Sequence, residues 1–262
     1  MKYTPKNQSL AIMQPYFLPY IGYFQLINAV DNFIIYDNIQ YSKKYFVSKN
    51  QFLQNGKPKA FSIALQKDSD YLNINERYLA KNFDKEKLLD SIHFAYIKAP
   101  YHNDLMPLLE SIFAYPKENL FDFIYHSILK ICIYLEIDTN IFISSTLPIN
   151  HELRAQDKVI ALCKAMQSNI YINSIGGISL YDEKEFEKQN IKLKFMQIDS
   201  NLFYNQFGNT FIQNLSIIDV IAFNNKSQIK NLLKQYCFKN GGGEFYFLKI
   251  FFYFILSTQM EG

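Results

Sequence analysis

Residues 10–50, LAIMQPYFLPYIGYFQLINAVDNFIIYDNIQYSKKYFVSKN, constrain the fold more than any other stretch of the chain. A short apolar run breaks at Gln14-Pro15, where the proline ring removes a backbone donor and stops a regular element. Helical spacing of apolar residues follows over 22–30, and a second apolar run over 32–36 ends on Asp37. Strand, loop, helix and strand in that order form the unit from which open α/β sheets are wound. In such sheets ligands bind where the carboxyl ends of strands pass into loops. The polar groups of this stretch gather at those two points, Gln14 and Asp37.

Beyond Asp37, residues 38–52 alternate in a way that predicts a ribbon with one polar face. Asn55-Gly56 is a type I′ hairpin signal. With a partner strand over 59–65, residues 43–65 are expected to form a β-hairpin hung on the first sheet. The pattern then turns helical. Leu88, Ile92, Ala95 and Ala99 share one face of a helix that begins near 84 and stops at Pro100. Helices over 102–114 and 118–136 complete a helical module near 84–136. Strands over 141–145, 169–173 and 191–197 then alternate with helices over 156–167, 184–190 and 215–223. This alternation predicts an α/β fold with a mostly parallel sheet of nucleotide-binding type, in a single domain over 1–240.

With 262 residues, 49% hydrophobic and 19% charged, the chain can bury a full core. It holds 24 Phe and 20 Tyr but no Trp; an AT-rich gene would give the same bias, so a lone aromatic residue carries less weight here than usual. A net charge of +3, with the cations dispersed, argues against a DNA-binding surface. Cys132, Cys163 and Cys237 are odd in number and far apart, which predicts buried free thiols in a reducing compartment. The four histidines lack metal-ligand spacing, and no cofactor motif is present, so neither metal nor cofactor is expected. No secretory signal is visible in a polar start followed by an apolar run cut at Gln14, which points to a cytoplasmic protein without a transmembrane segment.

Four groups of residues are suited to chemistry. The first, Pro19-Tyr20-Ile21-Gly22-Tyr23, compares with the H-x-G-H loop of nucleotidyl-transferring folds, with tyrosines at both imidazole positions. A glycine at a helix start still suits a phosphate through exposed N–H groups; the alternative is an apolar plug over the sheet edge. In the second, Asp37 is placed to act as a general base or to accept a sugar hydroxyl, with Gln40, Tyr41, Lys43, Lys44 and Asn50 nearby in sequence. A capping Asp beside a solvated ribbon is the structural alternative. His102, after Pro100-Tyr101, is the third, a further candidate base with a structural alternative of its own. The last is the turn Ser174-Ile175-Gly176-Gly177, with Ser179 and Tyr181, which allows a ligand to approach backbone closely. Gln206, Ser216, Asp219 and Asn224 add polar groups, with helix capping the simpler role for Ser216 and Asp219.

The opening Gln14-Pro15-Tyr16-Phe17-Leu18-Pro19-Tyr20-Ile21-Gly22-Tyr23-Phe24, with Asp31, Asp37, Gln40, Tyr41 and Asn50, resembles the start of the WbqC-like family of bacterial proteins. The resemblance continues through Tyr96, Lys98 and Pro100-Tyr101, through Tyr171, the 174–177 turn and Tyr181, and through Leu215-Ser216-Ile217-Ile218-Asp219 with Asn224. It covers residues 10–233. Ser48-Lys49 departs from a more usual Asn-Arg, exchanging a bidentate guanidinium for an ammonium, and Asn225-Lys226 departs from a Cys-Gly pair. The resemblance implies an enzyme of surface polysaccharide biosynthesis, such as O-antigen, lipopolysaccharide or capsule, that transfers an acyl or aminoacyl group, for example glycyl, to the amine of a nucleotide-linked amino sugar. It implies that Lys43, Lys44 and Lys49 hold diphosphate, that Asp37 or a histidine takes the amine proton, and that the 174–177 turn faces the donor. An aminoacyl-tRNA is a partner only if it is that donor. A non-catalytic nucleotide-sugar binding protein and a nucleotidyltransferase are the rival readings, the latter disfavoured by Tyr20 and Tyr23.

After three glycines, residues 244–262 are aromatic and apolar without periodicity, and their apolar run is shorter than the roughly 20 residues a bilayer span needs. They read as sequence translated out of the ancestral frame; a membrane-surface anchor and a last core strand are the alternatives. Truncation after Asn240 is expected to leave a soluble protein with a cooperative melt. Aggregation of the truncated chain would show the tail to be part of the fold.

Overall fold

The computed structural model describes residues 8–208 and 210–240. Among these lie the strands β1 (Ser9–Met13), β2 (Asn32–Ile35), β3 (Lys49–Gln54), β4 (Lys57–Ser62), β5 (Asn140–Ile143), β6 (Ile170–Ser174), β7 (Lys192–Ile198) and β8 (Tyr236–Asn240). The helices are α1 (Ile21–Asn28), α2 (Lys85–Tyr96), α3 (His102–Phe113), α4 (Leu120–Leu135), α5 (Ala155–Ala165), α6 (Glu183–Glu187), α7 (Ile217–Phe223) and α8 (Lys226–Leu232). Six strands make one sheet in the order β5-β2-β1-β6-β7-β8. The first five are parallel and β8 joins antiparallel to β7. The α/β fold with a mostly parallel sheet is therefore as the sequence pattern predicts.

Both faces of the sheet are covered, which explains the near-continuous apolar character of its central strands. Leu10, Ile12, Ile34, Tyr171, Leu193 and Phe195 face α5 and α6. Ala11, Phe33, Ile35, Ile172 and Met196 face the larger core, which contains α1, the α2–α4 module, α7 and α8. Local chemistry sets several boundaries. Asp84 and Asn119 accept N–H bonds at the starts of α2 and α4, and Asn225 with Gln228 forms a capping box on α8.

The hairpin turn forms where Asn55-Gly56 predicts it. Both residues have positive φ, 51° and 71°, as a type I′ turn requires. The surrounding expectation needs correction in two respects. β3 and β4 pair only with each other and form a separate sheet instead of extending the main one. Residues 38–48 are not a ribbon; Tyr41 N–H bonds to Leu72 O, Ile74 N–H bonds to Ile39 O, and Gln40 bridges Asn73. Their backbone partners thus come from a distant loop, which the alternation pattern cannot reveal. Cys132 and Cys163 are buried as expected, whereas Cys237 is exposed on the edge strand β8. No helix among the described residues is long and apolar enough to cross a membrane. The tail after Asn240 lies outside the described residues.

Phe17 joins the hairpin to the helical module. It is fully buried and its ring meets Phe61 at 6.2 Å, Phe113 at 5.9 Å and Phe123 at 5.2 Å between centroids. Phe17→Ala is expected to cost about 3–5 kcal/mol, measured as a lower urea midpoint at unchanged slope. A loss under about 1 kcal/mol would mean that the site collapses to refill the space.

Candidate functional site

The strand order reverses between β1 and β6, the place where open parallel sheets bind ligands. Here the two strands pair only at Ser9 with Ile170 and Leu10 with Tyr171. On the outer sides pairing continues to the strand ends, Met13 with Ile35 and Ser174 with Met196. β1 and β6 therefore part toward their carboxyl ends, and a cleft opens between them. Met13, Gln14, Tyr16, Tyr20, Gly22 and Tyr23 line one wall, and Asn173, Ser174, Gly176, Gly177, Ser179 and Tyr181 the other. Tyr36 and the start of α5, at Ala155, Gln156 and Val159, complete it.

None of the described side chains lining the cleft is charged. Its polar groups are amides, hydroxyls and phenols. Burial pushes the phenols of Tyr20, Tyr36 and Tyr181 up to about 12, with Tyr181 and Asp37 adding to the effect at Tyr36. They are proton-bearing groups at neutral pH. The Tyr181 oxygen accepts from Asn173 Nδ2 at 3.0 Å and lies 3.1 Å from the Tyr171 hydroxyl. Gly177 leaves room for this pair, because a Cβ there would sit 2.8 Å from Asn173 Nδ2 and push that amide. A Cβ on Gly22 would overlap the Tyr20 ring and Ile198. That glycine makes room for a ring at the start of α1.

Two residues that line the cleft each carry a sealed polar atom without a partner. Gln14 and Tyr16 are each 5% exposed, and Gln14 Oε1 and Tyr16 Oη are buried without a hydrogen bond. Unmade bonds of this kind are costly inside a protein. Lys158, on α5, sits behind the wall. Its Nζ donates to His151 O at 3.1 Å and lies 4.9 Å from the Tyr36 ring centroid. Burial lowers its pKa, while Asp37 and Glu152 oppose that shift.

The other residues singled out in the sequence lie elsewhere. Asp37 is buried and already holds three donors: Ser145 N–H at 2.9 Å, Ser145 Oγ at 2.6 Å and Asn75 Nδ2 at 2.9 Å. It ties the ends of β2 and β5 to the 74–76 turn. Lys43 and Lys44 are exposed, and Lys43 faces Asp70 at 3.7 Å across solvent. Lys49 donates to Lys43 O, and Gln40 donates to Asp70 O. Lys98 is exposed, and Asn224 donates to Val220 O within α7. His102 Nε2 lies 3.1 Å from His93 Nδ1, joining α2 to α3. None of these side chains lines the cleft. No group of three or more metal-ligating residues occurs among the described residues.

Tyr96, Gln206 and Asp219 do meet, but behind the site. Asp219 is fully buried and accepts from Tyr96 Oη at 2.8 Å, Tyr204 Oη at 2.8 Å and Gln206 Nε2 at 2.6 Å. Tyr96 Oη also accepts Leu53 N–H at 2.8 Å. One carboxylate thereby joins α2, α7, the hairpin and the loop after β7. Burial raises its pKa, against the lowering effect of its three donors.

The sequence reading did not assign Tyr36, Asn173 or Gln156 to the cleft, nor Lys158 to the layer behind it. Asn173 could have been placed there from its position two residues after Tyr171 on one strand face. Lys158 gave no signal, since α5 reads as an ordinary amphipathic helix.

The family model of the WbqC-like protein family matches residues 14–231. The uncharacterized protein Rv1507c of Mycobacterium tuberculosis (strain ATCC 25618 / H37Rv) is 25% identical over 234 residues, covering 88% of this chain and 99% of that protein. No solved structure matches the chain.

The Asp219 shift has a stated pH dependence. A carboxyl whose folded pKa lies above its ordinary 3.8 stabilises most below that value, and its contribution falls as pH rises through the raised one. The stability lost in Asp219→Asn, measured by urea unfolding, is thus expected to be larger near pH 4 than at pH 7. An equal or opposite trend would mean that the three donors outweigh burial.

Proposed function

The chain belongs to the WbqC-like protein family, and on that premise we propose that its switch-point cleft binds a nucleotide-linked amino sugar and that the protein transfers an acyl or aminoacyl group to the sugar amine. The observation supporting the binding step is the parting of β1 from β6 at the switch point, which leaves an uncharged cleft lined by Gln14, Tyr16, Tyr36, Asn173 and Tyr181. Neutral amides and phenols between aromatic walls suit the hydroxyls and ring faces of a sugar or base. The assignment to surface polysaccharide biosynthesis rests on the family resemblance.

In the transfer, the amine lone pair forms a C–N bond to the carbonyl carbon of an activated ester or thioester. The bond to the leaving group breaks, and the leaving group departs with the electron pair and takes up the proton released by the amine. Tyr36, protonated at neutral pH, is suited to donate to the developing oxyanion. Asp37 has both oxygens engaged. It supports the scaffold in this scheme, and the attacking amine enters already neutral.

A non-catalytic nucleotide-sugar binding protein is the second reading, favoured by the absence of charged side chains among the described residues lining the cleft. Incubation with nucleotide amino sugars and acyl donors, followed by mass spectrometry, separates the two. A mass gain of one acyl group is expected. Thermal stabilisation by the sugar nucleotide without any mass gain would select the binding protein, and neither effect would overturn both. Gln14→Ala and Tyr16→Phe are each expected to weaken sugar-nucleotide binding about tenfold. Tyr16→Phe should leave folding intact, since its hydroxyl has no partner to lose.

A further inference from the structure

Tyr171 and Asn173 on β6, and Tyr181 beyond the 174–177 turn, all line the cleft. They form a hydrogen-bond chain whose protons can be counted. Asn173 Oδ1 accepts Ser174 N–H at 2.7 Å, which turns the amide so that Nδ2 donates to Tyr181 Oη at 3.0 Å. The Tyr171 and Tyr181 hydroxyls lie 3.1 Å apart and share one hydrogen bond. The two phenols carry two hydroxyl hydrogens, and the shared bond uses one of them. Among the described residues, no other group accepts from either hydroxyl. One phenolic hydrogen is therefore unspent, whichever way the shared bond runs. Phe186 stacks on the Tyr171 ring at 5.6 Å and meets the Tyr181 ring edge-on at the same distance, so both hydroxyls are held in place.

Burial decides which hydrogen that is. Tyr171 is fully buried and Tyr181 is partly exposed. A hydrogen without an acceptor costs most where water cannot reach it. Tyr171 accordingly donates, and the Tyr181 oxygen receives two bonds, which fill its acceptor capacity. Tyr181 can then only give a hydrogen bond, and the open space bordering the chain is the cleft. We propose that Tyr181 is the donor of a carbonyl-recognition subsite, its O–H bonding a neutral carbonyl oxygen of the ligand, with Tyr171 and Asn173 as positioning residues. The inference rests on the cleft being the ligand site, as read above, and names the group that one wall selects. A phosphoryl or carboxylate oxygen would bring a charge that no described side chain lining the cleft balances. An ammonium group would find no acceptor at Tyr181. An amide carbonyl on the sugar nitrogen and a carbonyl of a pyrimidine base offer the same chemistry.

The test uses the full chain and N,N-dimethylbenzamide, a probe with an aromatic ring and a carbonyl but no N–H, in an NMR titration. Tyr181→Phe keeps the ring and is expected to weaken the probe about tenfold. Tyr171→Phe/Tyr181→Phe, which removes the donor stranded by the single change, takes its place if Tyr181→Phe does not fold. In protein labelled with 13Cζ-tyrosine, the Tyr181 resonance is expected to move on adding the probe. It is also expected to move in Tyr171→Phe at an unchanged melt, because the phenol oxygen loses a donor. No binding of the probe, equal binding by the Tyr181 variant, or a Tyr181 resonance that stays still in Tyr171→Phe would each overturn the inference. UDP-glucosamine and UDP-N-acetylglucosamine, read by thermal shift, separate the sources and test the cleft independently. A loss in Tyr181→Phe confined to UDP-N-acetylglucosamine supports the carbonyl on the sugar nitrogen, and an equal loss for both supports the base carbonyl. Stabilisation of the native chain by either nucleotide without probe binding overturns the subsite and leaves the cleft reading standing. Probe binding that depends on Tyr181, without stabilisation by either nucleotide, supports the subsite and overturns the sugar-nucleotide reading.

Discussion

The carbonyl of Leu18 holds the molecule's two halves in register. Leu18 has φ of 47°, a left-handed conformation that costs a residue with a side chain about 1–2 kcal/mol. It persists because two buried side chains converge on its oxygen, Asn50 Nδ2 at 2.8 Å from the hairpin and Ser216 Oγ at 2.7 Å from the cap of α7. Backbone bonds on either side, Phe17 N–H to Val47 O and Ile217 N–H to Pro19 O, close the clamp. The loop between β1 and α1 is therefore fixed by elements that lie far along the chain. Because that loop carries Tyr16 and Tyr20, the clamp also fixes the cleft wall.

The same design separates support from surface. Three carboxylate-centred or amide-centred contacts, at Asp37, Asp219 and Asn50, are buried and engaged, and each joins segments that are distant in sequence. The cleft is lined by neutral groups. A buried polar group with all its bonds made rigidifies the scaffold. That distinction explains why the residues with the most obvious chemistry in the sequence lie outside the cleft.

Much of the architecture was legible in local pattern. Period-two and period-3.6 spacing located the strands and helices, and Asn55-Gly56 specified the hairpin turn because few other pairs tolerate positive φ at both positions. Gln14, Tyr16, Tyr20, Gly22, Tyr23, Ser174, Gly176, Gly177 and Tyr181 were all marked, and the structure brings them to one cleft. They were legible because they sit where strands end. The antiparallel β8 and the short α8 had no comparable signal, and neither did the separation of the hairpin from the main sheet.

The sequence by itself determined the elements, their approximate order and the fact that polar groups collect after the first and fourth strands of the parallel set. Those properties depend on neighbours within a few residues. Only the tertiary structure decided which polar groups are free. Asp37 reads as a candidate base in sequence and Asp219 as a polar or capping group, and their donors come from Ser145, Tyr96 and Tyr204, brought in from distant parts of the chain. Whether a buried acceptor is satisfied or waiting depends on three-dimensional proximity, and the parting of β1 from β6 depends on the pairing of strands about 160 residues apart in the chain.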